Sequence, residues 1–95
     1  MATYLIVTKL GTESFRDAGQ FRQLAERVAS RIRSECPGVH WKDSYAVMGR
    51  YDVVDVVEAP TAGDVERAAM IIRSEAHATT ETMHATPWKE FLKGL

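Results

Sequence analysis

The sequence is poor in cysteine, in clustered glycine, in long apolar runs and in net charge, and each shortage removes a class of protein. Cys36 is its single cysteine, so neither an internal disulfide nor a cysteine-cluster metal site can form. No apolar run reaches bilayer-spanning length, and the N-terminus lacks the basic-then-apolar pattern of an export signal. A cytoplasmic location with no membrane partner is the expectation. Twelve Lys and Arg face thirteen Asp and Glu, leaving a net charge of −1. A chain so balanced has no general attraction to nucleic acid. His40, His77 and His84 are the three histidines, and none is spaced from another as paired metal ligands are. There is no G-x-S-x-G, no phosphate loop and no dinucleotide fingerprint. No cofactor and no metal are expected, and binding is favoured over catalysis.

What is present fits one domain. Ninety-five residues at 45% hydrophobic content can bury one modest core. The chain is organised around a hairpin. Trp41 to Met48 mixes aromatic and polar residues, as a half-exposed strand does. Tyr51 to Ala59 is rich in valine and stops at Pro60. Between them Gly49-Arg50 matches a type II′ turn, whose first central residue needs positive φ. That turn sets Ala46 against Val53, Tyr45 against Val54, Ser44 against Asp55, Asp43 against Val56 and Trp41 against Glu58. A slip of one residue would exchange the faces.

The remaining elements follow from periodicity. Thr3 to Leu10 reads as a central strand, nearly continuous in apolar character. Asp17 to Glu35 reads as a helix, with Phe21, Leu24, Ala25, Val28 and Ile32 on one stripe and Ser14 or Thr12 available as its cap. Cys36-Pro37-Gly38 ends it. Its arginines, Arg22, Arg27, Arg31 and Arg33, and nearby Arg16 form a solvated face with Glu26 and Glu35 as local partners. Thr61-Ala62-Gly63-Asp64 has capping-box spacing and opens a helix to about Ala76, with Val65, Ala68, Ala69 and Ile72 inward. Ala78 to Ala85 alternates as an edge strand. Pro87 to Leu92 reads as a short tail helix with Trp88, Phe91 and Leu92 on one face.

Strand, helix, strand, strand, helix, strand is the split β-α-β order of a ferredoxin-like α+β fold: βαββαβ, a four-stranded antiparallel sheet with both helices on one face. The domain is residues 1–95, with 86–95 as the tail. The other sheet face has no cover from the same chain. An uncovered apolar face marks an association site, and a second copy is the simplest cover.

Gly49-Arg50-Tyr51-Asp52-Val53-Val54, then Glu58-Ala59-Pro60 and Thr80-Glu81-Thr82, resemble the GYD domain family from Thr3 to about Ala85. The resemblance implies a ferredoxin-like homodimer of the dimeric α/β-barrel type and no assigned activity. A similar G-x-Y-D strand followed by T-x-T occurs in the effector-binding domain of leucine-responsive transcription regulators, whose helix-turn-helix has no room here. Asp55 departs from the family pattern, which has an apolar residue there.

Candidate site residues follow from the face assignment. Trp41, Tyr45, Asp52, Thr82 and His84 are read as lying on the open side, where a small molecule would be held between two sheets. The bland reading is that the threonines serve β-propensity and that Asp52 satisfies backbone donors near the turn. Asp55 pulls the other way. An acid in a valine-rich strand must be hydrogen-bonded or protonated, and Ser44 opposite is one partner. The favoured function is a homodimeric ligand-binding or regulatory protein. The alternatives are a cofactor-free monooxygenase or isomerase of the dimeric α/β-barrel class, by analogy of fold, and an accessory subunit docking a larger partner through Trp88, Phe91 and Leu92.

Overall fold

The computed structural model describes residues 1–95. The elements are β1 (Ala2–Lys9), α1 (Ala18–Glu35), β2 (His40–Ala46), β3 (Val53–Ala59), α2 (Ala62–Ala76), β4 (Thr79–Ala85) and α3 (Trp88–Lys93). All strand pairs are antiparallel, in the order β2-β3-β1-β4, so β1 and β3 are central as expected. The fold is ferredoxin-like.

Local chemistry sets the helix ends. Asp17, rather than Ser14 or Thr12, caps α1: its Oδ1 accepts from the Gln20 backbone N–H at 2.8 Å. Gln20 Oε1 reaches back to the Arg16 N–H at 2.8 Å, close to the reciprocity of a capping box. Ser14 is used elsewhere. Its hydroxyl donates to the Ala76 carbonyl at the end of α2, at 2.5 Å. Thr61 caps α2 as its spacing predicts, accepting from the Asp64 N–H at 3.3 Å. His77 closes α2 in the left-handed region, at φ 49°. Its carbonyl approaches Gly11 so closely that a Cβ there would lie 2.5 Å from the oxygen. Position 11 therefore has room for glycine alone.

The hairpin departs from its expected form twice. Gly49 has positive φ, 128°, as the turn requires. The strands nevertheless end at Ala46 and Val53, and Val47 N–H to Asp52 O at 3.0 Å is the last cross-strand bond. The Asp52 N–H turns to the Thr8 carbonyl at 2.8 Å, and its Oδ2 accepts from the Leu10 N–H at 2.8 Å. These bonds tie the loop to β1, so the tip is wider than a two-residue turn. The second departure is a β-bulge at Lys42. Pairing holds from Ala46↔Val53 to Asp43↔Val56, then resumes as Trp41↔Val57 and His40↔Glu58. One extra residue sends everything before it to the opposite face.

The core is lopsided. Tyr4 and Ile6 of β1, and Val57 and Ala59 of β3, pack against Val65, Ala68, Ile71 and Ile72 of α2. From α1 only its last turns join them, through Ile32 and the cap residue Cys36. Along the rest of its length α1 packs on α2 more than on the sheet. Arg27 and Arg31 both reach Glu75 of α2, at 2.9 and 3.0 Å, and Arg31 also holds Glu35 at 2.6 Å. Glu35 is the local partner expected for this basic face, whereas Glu75 comes from the neighbouring helix. These ion pairs tie α1 laterally without drawing it down.

The opposite sheet face carries Leu5, Val7, Val54, Val56, Tyr45 and Met83, brought together by the pairs Leu5↔Val56, Leu5↔Met83, Val7↔Val54 and Tyr45↔Val54. Cα extents of 48 × 30 × 17 Å leave the short axis room for one sheet and one helix layer. The tail helix α3 packs closely on no other element. Trp88 stacks on Phe91 at 5.6 Å, yet Trp88 remains 69% exposed. No helix is long and apolar enough to cross a membrane.

Candidate functional site

Because α1 rides high, its apolar stripe is only half used. Leu24 and Ile32 are buried; Phe21 and Val28 are half-buried; Ala25 is exposed. The unused part roofs a cavity of about 560 Å3 between α1 and the β2–β3 half of the sheet. Phe21, Leu24, Val28 and Ile32 form its upper wall, with Val53 and Trp41 opposite. That volume and apolar lining are in the range of small-molecule sites.

The floor is polar. Asp55 is 6% exposed, and its Oδ1 accepts from Trp41 Nε1 at 3.0 Å and from Ser44 Oγ at 2.6 Å. Trp41 Nε1 also lies 3.0 Å from Ser44 Oγ, closing a three-membered network. The Ser44–Asp55 contact is the one the hairpin register anticipates. Both donors use Oδ1, so Oδ2 has no protein partner. Beside it, Thr8 is 3% exposed and its Oγ1 is buried without a hydrogen-bond partner. Arg33 and His40 stand at the mouth, exposed to solvent. Thr8 Oγ1 is sealed beneath the floor, whereas Asp55 Oδ2 keeps access to the cavity with bonding capacity unused.

The five residues expected on the open side are dispersed. Trp41 lies on the helix side, because the Lys42 bulge reverses its face and turns its indole onto Asp55. Thr82 and His84 also lie on the helix side: they pair with Ile6 and Tyr4, and the His84 ring meets the Tyr4 ring edge-on at 5.4 Å. The polarity of β4 misleads here. As an edge strand it extends past the cover of the helices, so its helix-side residues Thr82 and His84 are exposed and polar. Met83 pairs with Leu5 on the open face. Asp52 binds the Leu10 N–H, which is the structural role weighed for it. Tyr45 alone belongs to the open face, at 55% exposure. The structure thus gathers none of Tyr45, Asp52, Thr82 and His84 around the cavity; Trp41 lines it, with Asp55, Ser44 and Thr8.

Two other groups of chemical interest are structural. Cys36 is buried in the core, and burial raises its thiol pKa, keeping it protonated and unreactive. Tyr51 Oη donates to Glu81 across the sheet end.

Comparison with known proteins settles the family. The GYD domain model matches residues 4–95, so the match takes in the tail helix beyond the Ala85 limit of the sequence resemblance. The chain belongs to the GYD domain family. A protein of Thermus thermophilus described as a glutamine synthetase and cystathionine beta-lyase binding protein is 28% identical over 95 residues, covering 100% of this chain and 99% of that one. Among solved structures, FFRP-DM1 is 28% identical with a TM-score of 0.59, over 90% of this GYD chain and 100% of that chain. The leucine response regulatory protein LrpA of Mycobacterium tuberculosis superposes with a TM-score of 0.59 at 17% identity. It shares the fold over 90% of this chain and 51% of its own.

Proposed function

We propose that this GYD-domain chain is a homodimeric small-molecule-binding protein with a regulatory role. A second copy covers the open sheet face, and the ligand lies on the helix side, between α1 and the sheet. The observation that carries the reading is the cavity itself: apolar walls, with Asp55 on its floor keeping one carboxylate oxygen free of protein partners. A core evolved only for stability would close such a void or satisfy its polar groups. The cleft between two sheets is the weaker location, since of the five residues read as facing it only Tyr45 does so.

The test is a thermal-shift screen of a metabolite collection against the native chain and Val28→Trp, whose indole would project into the cavity and obstruct it. Ligands should raise the melting temperature of the native chain and leave the variant unmoved. Equal shifts in both would remove the cavity from the account.

A second reading is favoured by the Thermus relative, whose description names two enzymes that it binds. Carried to this chain, it gives an accessory subunit whose docking surface includes the exposed Trp88, Phe91 and Leu92 of α3. Removal of residues 86–95 should then abolish co-sedimentation with purified glutamine synthetase or cystathionine beta-lyase of the same source and leave self-association intact. Retained binding would rule the tail out.

A further inference from the structure

We infer that the helix-side cavity selects apolar molecules carrying a primary amine, with the ammonium held by Asp55 Oδ2. The inference rests on the binding role proposed above and adds the ligand's chemistry.

Three observations converge. First, Asp55 is the one acid around the cavity, and it is 6% exposed. A carboxylate offers about four lone-pair sites on its two oxygens. Trp41 Nε1 and Ser44 Oγ both spend their bonds on Oδ1, leaving Oδ2 unpartnered. Second, Asp55 Oδ2 keeps access to the cavity, whereas Thr8 Oγ1 is sealed beneath its floor. Third, the walls above them are hydrocarbon: Phe21, Leu24, Val28 and Ile32 of α1.

Chemistry then chooses among head groups. A ligand carboxylate would meet Asp55 as a like charge in an apolar setting and is rejected. A hydrocarbon would fill the volume and leave Asp55 Oδ2 without a partner. An alcohol can donate one hydrogen bond; an ammonium has three donors and supplies the opposite charge. Arg33 and His40 also carry or can carry positive charge, but both are exposed at the mouth, where water screens them. Asp55 lies deep, where the charge acts less screened.

The experiment is isothermal titration of the full chain with toluene, 2-phenylethanol, 2-phenylethylamine and phenylacetate, repeated on Asp55→Asn and Val28→Trp. The amine should bind at least tenfold more tightly than phenylacetate and more tightly than the alcohol. Asp55→Asn should erase that preference without changing toluene. Val28→Trp should block every probe. The native-chain series needs no variant, so a poorly folding Asp55→Asn leaves the test intact. Amine and carboxylate affinities within twofold of each other would overturn the amine assignment; toluene binding blocked by Val28→Trp would then still support the cavity. No binding by any probe would overturn both.

Discussion

Trp41 Nε1 lies 3.0 Å from Asp55 Oδ1, on the face of the sheet opposite to the one that unbroken alternation along β2 would give Trp41. The contact joins the bulge at Lys42 to the acid in the middle of β3. It also explains how a central valine-rich strand tolerates an aspartate. The indole and the Ser44 hydroxyl solvate one carboxylate oxygen from within the protein.

Trp41→Phe keeps the ring and removes the N–H. Asp55 then keeps Ser44 as its one donor. Loss of a hydrogen bond to a charged, buried acceptor should cost about 1–3 kcal/mol. Urea denaturation followed by far-UV circular dichroism reads this as a lower midpoint at unchanged slope. A midpoint equal to that of the native chain would show that the indole N–H contributes nothing.

Deletion of Lys42 removes the extra residue. If the rest of the pairing were kept, Trp41 would move to the open face and leave Asp55 half solvated in an apolar cleft. The deletion should destabilise the chain more than Trp41→Phe does and abolish the near-ultraviolet dichroism of the Trp41 environment. A stable chain with that signal retained would place the bulge elsewhere.

Leu5 and Val54 stand on the open face beside Val56 and Val7. A lysine at either position would put a charge into the proposed sheet-to-sheet contact. In sedimentation equilibrium the native chain should run at twice its 10.6 kDa mass. Leu5→Lys and Val54→Lys should run as single, folded chains. A native chain that stays single at high concentration would contradict the dimer.

Glu75 is hydrogen-bonded by Arg27 and Arg31, which hold its carboxyl below the ordinary value of 4.5. Glu35 is lowered in the same direction by its hydrogen bond to Arg31. A lowered folded-state pKa gives stability that is present above about pH 4.5 and is lost as pH falls through the folded value. Glu35 is exposed and Glu75 half-buried at the surface, so the effect should be small and should shrink in high salt. Glu75→Gln should flatten the fall of the urea midpoint between pH 5 and pH 3. An unchanged acid profile would mean that the pairs do not couple α1 to α2.

Much of the fold is legible in the sequence, because each element states its own boundaries. Thr61 and Asp64 mark where α2 starts, Pro37 and Gly38 follow the end of α1, and the valines of β3 carry the strand signal. The site is less legible, for three physical reasons. An amphipathic stripe says which side of a helix is apolar; it does not say how far the helix stands from the sheet. The same stripe serves whether Val28 is packed or lines a cavity. A bulge at a lysine has no compositional mark, so the face of Trp41 could not be read through it. Alternation in an edge strand reports exposure rather than side, which reversed Thr82 and His84. Asp55 was the visible anomaly, and Ser44 opposite it was the readable half of its environment. Thr8, hidden in a strand that favours threonine for other reasons, was not.

The chain has two tryptophans, Trp41 on the cavity floor and Trp88 on the outer tail, so their indole N–H signals report on separate places. Titrating 15N-labelled protein with 2-phenylethylamine and following both indole resonances tests the helix-side site most directly. The Trp41 signal should shift and saturate with the ligand, while the Trp88 signal stays fixed. A stationary Trp41 signal, with saturating shifts confined to Tyr45, Val54 and Val56, would put the ligand on the open sheet face and contradict the account.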